Sequence, residues 1–198
     1  MIRLFVAIPL PSVVRQRLSL LQAGLPGCRW TNPDNLHLTV RFIGDVDEPM
    51  AAEIDHALAA LRPAPFDLDL AHVGYFGTAK KARHVWAGLA PNPALDHLHT
   101  KVDRAMVGLG LPPDDRRFSP HVTLGRLRDT PMDRLRHWLA DHDGLRLGPI
   151  TVEKVTLFES HRHAGGPTYL PLADYEIGGA SEPDDLSFVS PMMALRFS

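Results

Sequence analysis

The pattern His-x-Thr-apolar occurs twice in this chain, in NLHLTVRFIG (35–44) and RFSPHVTLGR (117–126), and each copy closes a strand–helix–strand unit. The units span about 3–43 and 85–127. They are too long and too diverged for a stacked solenoid array. An ancient duplication fits better: two similar lobes, with their His-x-Thr strands facing across a shared cleft. Whatever else the chain does, it must supply elements that complete two lobes around that cleft.

Eighteen prolines and fifteen glycines cut the chain into short elements. RLFVAIPL (3–10) has the β-branched and aromatic content of a buried strand. Ser12 can cap a helix with Val14, Leu18, Leu21 and Leu25 on one face, followed by a loop from Cys28 to Asn35. A second helix after Pro49 carries Met50, Ile54, Leu58 and Leu61, and a third opens at Asn92–Pro93 with Leu95, Leu98, Val102, Met106 and Leu109. Thr130–Pro131 start a shorter one with Leu135, Trp138 and Leu139. FDLDLAHV (66–73), RHVWAGLA (83–90), TVEKVTLFES (151–160) and TYLPLADYEI (168–177) read as further strands. The expected fold class is α+β: two pseudo-symmetric lobes of mainly antiparallel sheet, helices outside, in one domain over 1–178. Residues 179–198 begin acidic, end apolar and form a C-terminal extension.

Composition narrows the function. A formal net charge of −2 argues against coating nucleic acid by bulk charge, while allowing a local basic cleft. One cysteine, Cys28, forbids an intrachain disulfide framework and fits a reducing compartment. No run is long and apolar enough to span a bilayer, and the N-terminal run stops at Pro9 and Pro11 without a cleavage-site pattern. A cytoplasmic monomer away from membranes is expected.

Alternation along a strand puts residues i and i+2 on one face. His37 projects with Thr39, and His121 with Thr123, while Leu38, Val40, Val122 and Leu124 turn inward. An imidazole beside a hydroxyl, about 7 Å apart by strand rise, can grip a tetrahedral anion. Two such grips related by a pseudo-twofold place one titratable group on each side of phosphorus, the need of in-line phosphodiester chemistry. Imidazoles titrate near neutrality, so one can act as acid and the other as base. Neither a metal nor another cofactor is required.

The chain resembles the 2H phosphoesterases, specifically the RNA 2′,3′-cyclic phosphodiesterase (2′-5′ RNA ligase) branch, through RLFVAIPLP, NLHLTVRFIGDV, VWAGL, RFSPHVTLGR and GGPTYLPL in family order. The resemblance implies a bilobed fold with the site between lobes. It implies hydrolysis of 2′,3′-cyclic phosphate ends of RNA, such as tRNA fragments or oligonucleotides, to 2′-phosphomonoesters. On that pattern His37 is the proton donor, His121 the proton acceptor, and Thr39 and Thr123 hold the phosphate. It also implies that some relatives run the chemistry backwards as a 2′-5′ ligation. Two alternatives stay open: a phosphodiesterase for 2′-5′ oligoadenylates or small cyclic-phosphate nucleotides, and a non-catalytic module that binds RNA ends.

Other residues are candidates for substrate contact. Alternation places Arg41 with His37 and Thr39, and places Arg126 opposite to His121 unless the strand bulges at Gly125. Arg117 and the run KKAR (80–83) could attract an RNA backbone. Tyr75 and Phe76, read as a Gly-flanked loop, could stack on a base. Phe42 and Phe118 are assigned to the core. His97 and His99, two apart on a helix, do not share a face, and His161 and His163, read as a loop, have only Glu159 nearby as a further ligand, so neither pair reads as a metal site.

Overall fold

A computed structural model of the chain describes residues 1–78, 80–115, 117–163 and 166–177, with Arg162 described by its backbone alone. The C-terminal extension at 179–198 lies outside the described residues. Strand β1 (Ile2–Pro9) is apolar on both faces and buried along most of its length, as befits a strand deep in a sheet. Helix α1 (Ser12–Ser19) buries Val14 and Leu18 and stops short of the expected Leu25. Gly24 and Gly27, at φ of 80° and 71°, turn the chain there in a conformation that favours glycine. Strand β2 (Cys28–Trp30) lies inside the expected loop; three residues are too few to show a period.

Strand β3 (His37–Val46) leads to α2 (Glu48–Ala59), whose first turn is capped by the Asp47 carboxylate accepting from the Met50 N–H at 2.9 Å. Strands β4 (Phe66–Thr78) and β5 (Lys81–Leu89) form a long hairpin. Helix α3 (Pro93–Gly108), capped by Asn92 on the Leu95 N–H, buries Leu95, Leu98, Val102 and Met106. Then come β6 (His121–Leu127), α4 (Met132–His142), β7 (Arg146–Val152), β8 (Lys154–His163) and β9 (Gly166–Glu176). Strand β7 was not separated from β8 by the sequence pattern, and His161 and His163 stand on β8. Among the described residues, no helix is long and apolar enough to cross a membrane.

All pairings in the sheet are antiparallel, in the order β7-β4-β5-β6-β3-β1-β8-β9, with β2 added beside β6. The sheet curls into a half-barrel, with its helices packed on it. Its two halves meet where β3 touches β6, at the single pair Leu38 and Val122. The α+β, two-lobed architecture is therefore the one expected.

The register repeats between the halves. Pro9, Ile8 and Ala7 face His37, Leu38 and Thr39; the pairing then slips, so that Val6 faces Arg41 and Phe5 faces Phe42. Gly88, Ala87 and Trp86 face His121, Val122 and Thr123; the pairing slips again, so that Val85 faces Gly125 and His84 faces Arg126. Val40 and Leu124 are the extra residues of two matching bulges. Each bulge inverts the alternation beyond it.

Arg41 is the first casualty of simple alternation. It turns away from His37 and Thr39 and is 7 % exposed. Its Nε donates to Asp103 Oδ1 of α3 at 2.7 Å, and its other nitrogens donate to the carbonyls of Phe42 and Pro112. Phe42 takes the cleft side instead of the core, with 62 % of its surface exposed. Gly125 holds the position equivalent to Arg41. A Cβ there would stand 2.6 Å from Cys28 Sγ and 2.8 Å from the Trp30 ring, so glycine is what lets β2 lie against β6.

The Arg41–Asp103 pair ties β3 to α3 and, through the Asp114 N–H donating to Asp103 Oδ1 at 3.1 Å, to the loop before β6. Removing one partner strands a buried charge. Asp103→Ala is expected to cost about 3 kcal/mol, read as a lower midpoint in urea at unchanged m-value. The double change Arg41→Met, Asp103→Leu should recover most of it; a double variant as unstable as the single one would contradict this account.

Candidate active site

Antiparallel pairing about Leu38 and Val122 sets His37 across from Thr123 and Thr39 across from His121. The two imidazoles thus lie on a diagonal, each beside the other strand's threonine. The Nδ1–H of His37 donates to the Asn35 carbonyl at 2.7 Å, and that of His121 to the Ser119 carbonyl at 2.7 Å. Both partners are two residues upstream, another trace of the repeat. Each bond leaves Nε2 as the lone-pair nitrogen of the neutral ring. Thr39 Oγ1 donates to His37 Nε2 at 3.1 Å, so the two side chains lean together well inside their Cα spacing.

Aromatic rings wall both imidazoles. Phe5 and Tyr169 lie 5.1 Å from His37, the tyrosine edge-on, with Phe158 at 6.2 Å. Phe76 meets His121 edge-on at 4.7 Å, and Trp86 lies at 6.3 Å. Burial among rings disfavours the imidazolium and holds His37 down to about 4, with the His121 charge adding to the effect and the Asn35 bond opposing it. Burial also lowers His121, against its Ser119 bond. The two groups are equivalent in backbone and unequal in environment.

Strand β4 continues through Tyr75 and Phe76, so these are not loop residues. Alternation separates them: Tyr75 packs on the core, while Phe76 reaches His121. Arg126 follows its bulge and is exposed on the side of His121 and Thr123, as the conditional reading of Gly125 allowed. Phe118 packs against the core as expected and also stacks on His99 at 4.0 Å. Arg117 is exposed in the loop before β6.

Sequence reasoning missed Phe5, Phe158, Tyr169, Trp86, His72 and His84. Trp86 lies over Gly74, where a Cβ would overlap its ring. His72, at φ 53°, covers Gly88, the partner of His121. Phe5 and His84 become equivalent only through strand pairing, each standing on the strand that faces its histidine, at the same distance before Pro9 and Gly88; their separations from the histidines along the sequence differ, so the repeat alone did not reveal them.

Comparison with known proteins adds the missing context. The family model for LigT like phosphoesterases matches residues 8–86 and 89–169. The chain belongs to that family. The RNA 2′,3′-cyclic phosphodiesterase of Aeropyrum pernix is 33% identical over 85% of this chain and 96% of its own. The enzyme of that name from Methanothermobacter thermautotrophicus is 27% identical over 89% and 99%. Escherichia coli LigT, in a crystal structure with 3′-AMP, superposes with a TM-score of 0.71 at 27% identity, covering 90% of this chain and 99% of that one. Another crystal structure of E. coli LigT holds phosphate.

The depressed His37 links the site to stability. The folded value lies below the unfolded one, so between pH 6.5 and about 4 the unfolded chain binds more protons. Stability is full above pH 6.5 and falls as pH drops through that window, by up to about 3 kcal/mol from this residue. His37→Gln should flatten the fall in thermal midpoint between pH 7 and pH 4. An equally steep fall in the variant would assign the acid sensitivity elsewhere.

Proposed function

We propose that this member of the LigT-like family hydrolyses 2′,3′-cyclic phosphate ends of RNA to 2′-phosphomonoesters by two-histidine acid–base catalysis. The observation that carries the reading is the diagonal pair of imidazoles, each held by Nδ1 on an upstream carbonyl with a threonine alongside. The phosphate sits between them. His121 Nε2 takes a proton from water as its oxygen bonds to phosphorus, and His37 Nε2–H gives a proton to the departing O3′. Thr39 and Thr123 hydrogen-bond the non-bridging oxygens, where charge builds in the transition state. Arg126 and Phe76 contact the nucleotide from the His121 side. An RNA 5′-hydroxyl entering in place of water gives up its proton to His121 and bonds to phosphorus as O3′ departs with the proton of His37, which forms a 2′-5′ linkage by the same displacement.

The unequal environments support this division of roles. Deeper burial makes the His37 imidazolium the stronger acid, suited to a poor leaving group, and leaves His121 the better base. The consequence is that the productive protonation state is a minor one in the empty site. A bound phosphodiester anion favours the imidazolium and raises it.

His37→Ala and His121→Ala should each lower turnover of a cyclic-phosphate oligonucleotide by at least about a hundredfold while keeping the thermal transition cooperative. Near wild-type activity in either would rule the mechanism out. Wild-type kcat/KM should follow a bell centred below pH 6.5, since both free imidazoles are depressed. The kcat bell should lie at higher pH, since phosphate opposes the depression; coincident bells would count against it. The steps above require no metal ion, so activity should survive a chelator.

A further inference from the structure

The likeness of the two halves ends one row beyond the threonines. Phe5 and Phe42 occupy in one half the positions of His84 and Arg126 in the other. Strand β8 extends the first row with Phe158, opposite Phe5. Strand β2 extends the second with Arg29, opposite Arg126. Directly opposed residues in an antiparallel sheet project from the same face. One row is therefore apolar, its rings 5.8 Å and 5.2 Å apart. Its counterpart, His84–Arg126–Arg29, is basic.

His84 and Arg126 of the basic row line a cleft of about 470 Å³, where Lys81, Arg83 and Arg128 add further positive charge and Asp129 is the one carboxylate, and Arg29 stands beside Arg126 on the neighbouring strand. Among the described residues, Arg29, Arg83, Arg126 and Arg128 make no ion pair. After burial, it is the charges of Arg126, His121 and Arg83 that depress His84. These cations repel one another in the empty cleft, and an anion relieves them. The Arg29 guanidinium reaches the start of β9, where a Cβ on Gly166 would stand 2.8 Å from Nη2. Arg126 follows Thr123 by three residues, one of them in the bulge, so the row lies within about 10 Å of the phosphate grip. That is close enough for the long arginine side chains to reach a phosphate adjacent to the gripped one.

We propose that Arg29, His84 and Arg126 bind the phosphodiester next to the reacting phosphate, so that the cleft prefers an RNA chain to a mononucleotide. This rests on the reading that the histidine pair receives an RNA end. It adds the ligand group and two residues, Arg29 and His84, that the reaction itself does not need.

The test is fluorescence anisotropy with a labelled RNA tetramer ending in a 2′-phosphate, competed by a nucleoside 2′-phosphate. In Arg29→Gln, an exposed position, the ratio of oligonucleotide to mononucleotide affinity should fall about tenfold. The slope of log K against log salt should shallow by about 0.7, the loss of one single-strand phosphate contact. His84→Gln should lower the ratio in the same direction. An unchanged ratio and slope in both variants, or equal wild-type affinity for the two ligands, would overturn the proposal. Cyclic-phosphate hydrolysis assayed in parallel keeps the two readings apart. A wild type that does not hydrolyse, with a ratio that still falls in Arg29→Gln, defeats the catalytic reading alone. Normal hydrolysis with an unchanged ratio defeats this one alone.

Discussion

One backbone contact, Leu38 against Val122, governs the molecule. Both side chains are wholly buried, and each contributes about 1.5–3 kcal/mol through the apolar surface it removes from water. Beyond this pair β3 and β6 part. Strand β6 gives its remaining edge to β2, and β3 keeps its pairing to β1. A longer ladder would zip the halves flat and close the space between them. No ladder at all would leave the two imidazoles unrelated. A single pair, with a histidine and a threonine on either side of it in each strand, holds them in register and leaves the cleft open.

The repeat supplies two similar halves, but the acid–base roles proposed for the histidines need unequal ones. The inequality arises in the residues around the repeated motif. Three rings enclose His37; Phe76 and Trp86 flank His121, which has cations nearby through His84 and Arg126. Equal side chains thus acquire different proton affinities from their walls.

Much of this was legible in the chain. The four helices and the His-x-Thr strands follow from spacing, because amphipathic faces and alternation are local patterns. Arg41 and Arg126 show where that reasoning ends. Alternation assigned Arg41 to the cleft and Arg126 away from it, and a bulge reverses both assignments. A bulge is a property of pairing between strands, and no single strand announces it. Tyr75 and Phe76 fail for a related reason: flanking glycines suggest a loop, whereas Gly74 is small so that Trp86 can lie across it. The walls of the site come from β1, β4, β5, β8 and β9, far apart in sequence, and only the sheet order brings them together.

The carbonyls of Asn35 and Ser119 carry a consequence for how such a site drifts over generations. Every amino acid has the same carbonyl, so replacements at positions 35 and 119 leave the acceptor for each imidazole in place. The proton that sets the tautomer of each ring is thereby insulated from side-chain mutation. Only a change in the path of the chain ahead of the strand would remove it. Neither acceptor depends on the side chain that bears it; at position 35 the side chain has a separate task, its amide donating to the Pro167 carbonyl at 3.1 Å, so a change there would loosen β9 before it touched the imidazole.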